Sequence, residues 1–179
     1  MNERFDIAVI GGGPAGAATA IRAARAGASV VVVEKGPYGR DKICGDGLTP
    51  RAVAALDELE IPLDDAHRIA GLRMIAGKQV RELPWGSDGR FPDHGAVWPR
   101  RRLDAALVDA ASAAGADVRF ETEAMPVLDA DGRATGIDTP TGRIDADLVV
   151  AATGAPGAVA RLLGAERVPD EPYGLAIRT

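Results

Sequence analysis

The feature that most constrains this chain is a glycine-rich turn between an apolar run and a helix-forming stretch. Residues 5–10 are nearly all apolar, which is typical of a strand buried on both faces of a parallel sheet. The turn follows at residues 11–16, and residues 14–26 favour a helix that Gly27 would end. Ser29–Val33 is then a β-branched run, so this segment predicts one right-handed βαβ unit.

The turn itself, Gly11-Gly12-Gly13-Pro14-Ala15-Gly16, fits the G-x-G-x-x-G pattern of dinucleotide-binding folds. Gly11 permits the tight turn, Gly13 lets the backbone approach a diphosphate, and Gly16 lets the helix pack closely on the strand. The helix N-terminus, which Pro14 and Ala15 open, adds N–H groups and a partial positive charge that favour the diphosphate.

Glu34 ends the second strand, about twenty residues after the turn, where a carboxylate accepts hydrogen bonds from ribose hydroxyls. Its charge would repel a 2′-phosphate. Together, the turn and Glu34 therefore predict a site for the adenosine of FAD or NAD that rejects NADP. The alternative is a purely structural turn with an incidental surface glutamate.

The rest of the chain predicts further elements of an α/β domain. Residues 35–47 hold too many glycines and prolines for a regular element and predict a long loop, and Thr49-Pro50 predicts the start of a helix that continues to Leu59. The alternating section 68–98 predicts antiparallel strands beside the main sheet. Further predictions are a helix around residues 103–111, a strand at 117–120, a meander at 125–128, 135–137 and 144, a buried strand at 148–152 and a short helix at 158–163.

Composition excludes several classes of function. The formal net charge is −5 and the basic residues are scattered apart from Arg100-Arg101-Arg102, which argues against nucleic acid as a partner. Cys44 is the single cysteine, so neither an internal disulfide nor a thiolate metal site is expected. The N-terminus lacks a secretory signal pattern, and Arg22 and Arg25 interrupt the most apolar stretch, so we expect a cytoplasmic protein whose membrane contact is at most peripheral.

The loop at residues 41–51 favours FAD over NAD, because it carries the most specific resemblance in the chain. Its Lys42-Ile43-Cys44-Gly45-Asp46-Gly47 element, with the glycine turn before it, resembles the geranylgeranyl reductase family of FAD-dependent enzymes, especially the bacterial branch that hydrogenates menaquinone tails. The resemblance extends along the chain through Leu83-Pro84-Trp85, Trp98-Pro99-Arg100, Leu103-Asp104 and Tyr173-Gly174-Leu175-Ala176-Ile177-Arg178.

This resemblance implies a Rossmann-like FAD-binding domain of the GR2 type over residues 1–179, with a parallel sheet, an antiparallel meander and, in 68–98, the beginning of a substrate-binding sheet. It implies reduction of polyprenyl double bonds with electrons from a donor of unknown identity. Ala15 and Glu34 would contact the ADP half of FAD, and Cys44, Gly45 and Gly47 would line the approach to the flavin. The full set of expected cofactor-binding residues is Gly11, Gly13, Pro14, Ala15, Gly16, Glu34, Lys35, Cys44, Gly45, Gly47, Arg100, Ala124 and Gly154.

Several of these residues also have plainer interpretations. Cys44 is either a small buried hydrophobe or a flavin-side residue, and we favour the second without a nucleophilic role. Positive charge at Arg100 is unfavourable at a helix start, which a nearby diphosphate or ribityl chain would explain. Ordinary packing is favoured over isoprenoid contact for three aromatic residues, no role is assigned to either histidine, and the role of Asp46 stays open. The aromatic residues are Trp85, Phe91 and Trp98, and the histidines are His67 and His94.

One departure and two rival functions remain. Residues 151–154 read Ala-Ala-Thr-Gly, where related flavoenzymes tend to show Gly-Ala-Asp-Gly, so a carboxylate is missing while Gly154 still permits a turn. Family members are longer, and if the chain ends at Thr179 we expect weak FAD retention and no turnover. The rivals are a flavin monooxygenase or halogenase of an aromatic metabolite and a truncated, non-catalytic FAD-binding remnant.

Overall fold

The computed structural model of the chain describes residues 3–86, 89–155 and 157–165. These residues divide into two compact units, one formed by 3–40 with 104–165 and the other by 41–103. The described residues form four helices, α1 (Pro14–Arg25), α2 (Pro50–Glu58), α3 (Arg100–Ala113) and α4 (Ala158–Leu162). The strands are β1 (Glu3–Ile10), β2 (Val30–Val33), β3 (Gly47–Leu48), β4 (His67–Ile69), β5 (Gly71–Ala76), β6 (Gln79–Pro84), β7 (Gly95–Val97), β8 (Asp117–Arg119), β9 (Met125–Leu128), β10 (Ala134–Thr139) and β11 (Gly142–Ala151).

The first unit is built on a six-stranded sheet in the order β8-β2-β1-β11-β10-β9. The first four of these strands run parallel, and β10 and β9 continue the sheet as antiparallel neighbours. This confirms the predicted α/β fold with a parallel sheet and an antiparallel meander. β2 lies between β1 and β8, so both of its edges are hydrogen-bonded, and all four of its valines are buried.

Two helices carry the apolar faces that their spacing predicts. In α1, Ala17, Ala20 and Ile21 are fully buried, and in α3 the buried residues include Leu107 and Ala111. Glycine follows each helix in a left-handed conformation, with φ of +91° at Gly27 and +102° at Gly115. Gly27 therefore lies at the end of α1 as predicted, and Gly115 has the same position after α3.

The meander and the last strand differ from prediction. Ile144 and Leu148–Ala152 were expected in two separate strands, but β11 is continuous because no glycine or proline interrupts residues 143–151. Along its length β11 pairs with β1, from Glu3 opposite Ile144 to Ile10 opposite Ala151. The expected burial is also wrong at Leu148, which is 53% exposed.

The second unit contains the predicted antiparallel strands. A three-stranded sheet has the order β3-β7-β4, and β5 and β6 form a separate hairpin. As predicted, α2 begins after Thr49, whose Oγ1 accepts a hydrogen bond from the Ala52 N–H at 3.3 Å. The assignment of 68–98 to an inserted substrate-binding sheet stays a prediction, and the C-terminal Tyr173–Arg178 match lies outside the described residues.

Candidate dinucleotide-binding site

Two glycines of the turn are required by the protein's own packing. Gly11 has φ +109°, and a Cβ atom there would lie 2.5 Å from the Ala152 carbonyl oxygen at the end of β11. A Cβ atom on Gly16 would overlap the carbonyl oxygen of Gly11. These contacts agree with the predicted roles of the tight turn and the close helix packing.

Gly13 differs, because no contact within the described part of the chain requires a glycine at this position. Its backbone is extended (φ −76°, ψ −175°), and the nearest atom to an added Cβ is Nη2 of Arg40, 3.8 Å away. Gly13 is the N-cap of α1, which starts without a side-chain cap and without an acidic residue in its first turn. Gly13 therefore leaves open space beside the first N–H groups of α1, which have no partner within the helix. A diphosphate needs both this space and these donors.

The Glu34 carboxylate lies against the same turn. Its Oε2 accepts a hydrogen bond from the Gly12 N–H and its Oε1 accepts one from the Gly36 N–H, each at 2.9 Å. Burial acts to raise the pKa of Glu34, but these two hydrogen bonds and the charge of Arg40 outweigh it, so the pKa lies below its ordinary value. Glu34 is therefore held as a charged acceptor beside the glycine turn.

Two charged residues that the sequence did not mark as site residues complete this cluster. Arg40 places Nε 3.2 Å from Glu34 Oε1, and its Nη2 lies 3.8 Å from Oδ2 of Asp104. Both carboxylate side chains are only 8% exposed. The sequence does hold a signal for Asp104, since this residue follows Leu103 on the apolar face of α3. A carboxylate buried at such a position needs a cationic partner.

This cluster corrects the electrostatic argument against NADP. The sequence alone presents Glu34 as an isolated charge that would repel a 2′-phosphate. Since Arg40 is ion-paired to Glu34, the charge near the ribose position is partly compensated. Repulsion of a 2′-phosphate by Glu34 is therefore not enough to predict that the site rejects NADP.

Three other residues of the first unit that were predicted to bind the cofactor lie in different environments. Lys35 is exposed next to Glu34. Ala124 is 5% exposed within the apolar core cluster of the sheet, so its side chain serves packing. Gly154 adopts φ +71° after β11, as the predicted turn requires. A cofactor contact stays a prediction for all three.

The second unit holds the four other predicted residues, and Asp46 organises them. The Asp46 carbonyl oxygen accepts a hydrogen bond from the Trp98 N–H at 2.9 Å. Its carboxylate accepts one at 3.1 Å from the N–H of Arg100, at the start of α3. Asp46 also has φ +57°, a conformation that aspartate tolerates better than most residues. The residue left open by the sequence therefore joins the Cys44–Gly47 loop to the segment that carries Arg100.

The loop glycines resemble Gly13 in leaving space unused by the protein. A Cβ atom on Gly45 would meet nothing within 4 Å, and one on Gly47 would meet only the Gly45 carbonyl oxygen, at 3.9 Å. Cys44, which directly precedes Gly45, is half-buried, and Arg100 is half-buried too. Open glycines next to a half-buried thiol fit the approach of a flat ring, which is the predicted role of this loop.

The aromatic and histidine residues do not form a site among themselves. Trp98 is 4% exposed, which fits the favoured packing role, and its indole nitrogen and that of Trp85 are buried without a hydrogen-bond partner among the described residues. Phe91 is 42% exposed. His94 contacts Asp93 at 3.1 Å, and His67 is exposed. Within the described residues, no helix is long and apolar enough to cross a membrane.

The chemistry of these residues fits the ADP half of FAD. Open space at Gly13 and the N-terminus of α1 suit the diphosphate, and the charged Glu34 suits ribose hydroxyls. The described residues show no group of acidic, histidine or cysteine side chains arranged to hold a metal ion. The cofactor-binding role of each individual residue remains a prediction.

Comparison with known proteins agrees with this geometry. The chain is 40% identical to the menaquinone reductase of Mycolicibacterium smegmatis over 182 aligned positions, which span 99% of the chain and 44% of that protein. It superposes on a geranylgeranyl bacteriochlorophyll reductase-like protein of Thermoplasma acidophilum with a TM-score of 0.77 at 30% identity, over 93% of this chain and 43% of the other. The myxobacterial chondrochloren halogenase CndH gives a TM-score of 0.77 at 26% identity, over 89% and 39%.

The comparisons also show how much of a relative the chain matches. The chain spans less than half the length of the menaquinone reductase that it matches. The family model described as an FAD binding domain matches residues 4–174, nearly the whole chain. The cofactor predicted from the glycine turn and the Cys44–Gly47 loop is thereby confirmed as FAD. The chain belongs to the FAD-binding domain family of flavoproteins.

Proposed function

We propose that the protein is an FAD-dependent oxidoreductase that reduces carbon–carbon double bonds of a polyprenyl chain. The observation that carries this proposal is the loop at Cys44–Gly47, which Asp46 holds by two hydrogen bonds and whose glycines leave open space. The 40% identity to a menaquinone reductase supports the same substrate class. Since the chain spans under half of that relative, the proposal concerns the protein at the full length that its gene encodes.

The contributions of this chain's own residues are binding and orientation. The glycine turn and Glu34 would hold the ADP half of FAD, and Gly45 and Gly47 would allow close approach to the flavin. Reduction of one double bond adds a hydride and a proton across its two carbons, and the chemistry that bound, reduced FAD would supply is the hydride. The electron donor that reduces FAD and any peripheral membrane contact remain open parts of the proposal.

The test is an anaerobic assay with dithionite as reductant and menaquinone in detergent micelles. Because dithionite also reduces the quinone ring, the products are reoxidised in air before analysis. We then expect mass spectrometry to detect menaquinone whose prenyl chain has gained pairs of hydrogen atoms, only when FAD is bound. Gly13→Glu should abolish the product because it removes the cofactor. Asp46→Ala should lower turnover while FAD stays bound, and Asp46→Asn, which keeps an acceptor oxygen, should retain most of it. Bound, reducible FAD without any hydrogenated menaquinone would contradict the proposal.

Halogenation of an aromatic metabolite is the second candidate. The similarity to CndH, at 26% identity and a TM-score of 0.77, is the observation that favours it. An assay with reduced FAD, oxygen, a halide salt and an aromatic substrate distinguishes the two, since only the halogenase would give a halogenated product. A non-catalytic FAD-binding remnant would give neither product.

A further inference from the structure

We propose that Arg40 occupies, on Glu34, the acceptor positions that the ribose hydroxyls of FAD take, and that cofactor binding moves its guanidinium from Glu34 to Asp104. This inference rests on the proposed function only in taking the adenosine half of FAD as the ligand. It makes Arg40 a positioning residue of the ribose site and Asp104 its second partner.

Two backbone N–H groups and two nitrogens of Arg40 surround the Glu34 carboxylate. A carboxylate has about four lone-pair positions, two on each oxygen. The N–H groups of Gly12 and Gly36 take one position on each oxygen. Nε of Arg40 lies 3.2 Å from Oε1, and its Nη2 donates to Oε2 at 3.4 Å. Two ribose hydroxyls can therefore bind Glu34 only if some donor leaves.

Arg40 is the donor that can leave. The glycine N–H bonds are 2.9 Å long and belong to backbone on either side of Glu34, whereas the contacts of Arg40 are longer and come from a side chain that is 25% exposed. A guanidinium edge offers two nearly parallel N–H donors. The adjacent hydroxyls of a ribose likewise offer two donors, so one pair can replace the other.

Asp104 gives the displaced guanidinium a partner. Its Oδ2 is already 3.8 Å from Nη2 of Arg40, and its side chain is 8% exposed. A buried carboxylate is stabilised by a nearby cation, so a shorter Arg40–Asp104 contact keeps the charges of the cluster paired. A small rotation within the side chain is enough, because the same nitrogen faces both carboxylates.

The glycine next to Glu34 provides the space for this arrangement. A Cβ atom on Gly36 would lie 2.5 Å from Cδ of Arg40, so the aliphatic part of Arg40 lies directly across this glycine. Arg40, Glu34 and Asp104 line one depression together with Gly12 and Phe120. The guanidinium therefore has an open side toward which it can move.

The test measures how much the ribose hydroxyls contribute to affinity. ADP and 2′,3′-dideoxy-ADP are titrated by calorimetry into the chain, and the ratio of their dissociation constants is compared among variants. In the parent, loss of the hydroxyls should weaken binding less than about threefold, since Arg40 replaces them on Glu34. In Arg40→Met the ratio should rise to at least about tenfold, which is the size of one hydrogen bond to a charged group.

A double-mutant cycle tests the role of Asp104. Asp104→Asn should weaken ADP binding about three- to tenfold in the parent and leave it unchanged in the Arg40→Met background, because the effect of Asp104 on the ribose site passes through Arg40. Arg51→Met, at an exposed arginine of α2, controls for the loss of one positive charge and should leave the ratio unchanged. Circular dichroism checks that each variant is folded.

Three results would overturn the inference: no ADP binding by the parent, an unchanged ratio in Arg40→Met, or the same effect of Asp104→Asn in both backgrounds. Because neither nucleotide nor assay involves a prenyl substrate, failure of the reductase proposal and failure of this inference are separate outcomes.

Discussion

Replacing Gly13 with alanine should separate cofactor binding from folding. The added Cβ would meet no protein atom closer than 3.8 Å, and the backbone at φ −76° accepts any residue. Alanine is a poorer N-cap than glycine by about 0.5–1.5 kcal/mol. A glycine-to-alanine change at a compatible backbone regains about 0.4–1 kcal/mol. The two effects nearly cancel, so the free energy of unfolding should change by less than about 1 kcal/mol.

The effect on FAD affinity should be much larger. The methyl group would fill the space through which a diphosphate reaches the N–H groups at the start of α1. Loss of one or two charge-assisted hydrogen bonds, at about 1.5–3 kcal/mol each, weakens binding by roughly 10- to 10⁴-fold. For a domain of this size the unfolding temperature should shift by less than about 4 °C.

Quenching of flavin fluorescence measures the affinity, and circular dichroism measures the melting temperature. Gly86→Ala is the matched control, because a Cβ atom there would meet nothing within 4 Å and Gly86 lies outside the turn. It should bind FAD like the parent. If Gly13→Ala also bound FAD with parental affinity, the assignment of the diphosphate to this turn would be wrong. A large drop in melting temperature would instead show that Gly13 is a structural glycine.

Three further predictions follow from the same contacts. Gly16→Ala should destabilise the fold by at least about 2 kcal/mol, since its Cβ would overlap the Gly11 carbonyl oxygen; an unchanged melting temperature would refute this packing. Asp46→Ala should cost about 1 kcal/mol in chemical denaturation, and Asp46→Asn much less, because Asp46 accepts the first N–H of α3; equal losses would argue against the cap. The pKa of Glu34 is lowered in the folded state, so its stabilisation is present above the ordinary value of about 4.3 and is lost as the pH falls through the folded-state value. The melting-temperature difference between the parent and Glu34→Gln should therefore shrink as the pH falls from about 7 to about 3, and a constant difference would contradict this linkage.

The first βαβ unit could be predicted because its signals are local. The apolar run, the glycine turn and the valines of β2 each indicate structure from neighbouring residues, and the structure places Gly11 and Gly16 as their mechanical roles require. The cap of α2 at Thr49 was also visible in the sequence for this reason.

The missed features depend on partners distant in sequence. Arg40 matters because the fold brings it to Glu34 and Asp104, and Asp104 lies far along the chain, on α3. Likewise, β11 pairs with β1 from Ile144 to Ala151, and this long-range pairing adds to the lack of a glycine or proline in keeping β11 one strand. The role of Asp46 depends on its contacts with Trp98 and Arg100 in a segment more than fifty residues later.

The most direct test of the central claim is a crystal structure of the chain with FAD bound. We predict that the diphosphate lies at the N-terminus of α1 beside Gly13 and that the adenosine ribose hydrogen-bonds to Glu34. FAD bound at another surface, or bound here with its ribose away from Glu34, would contradict the account.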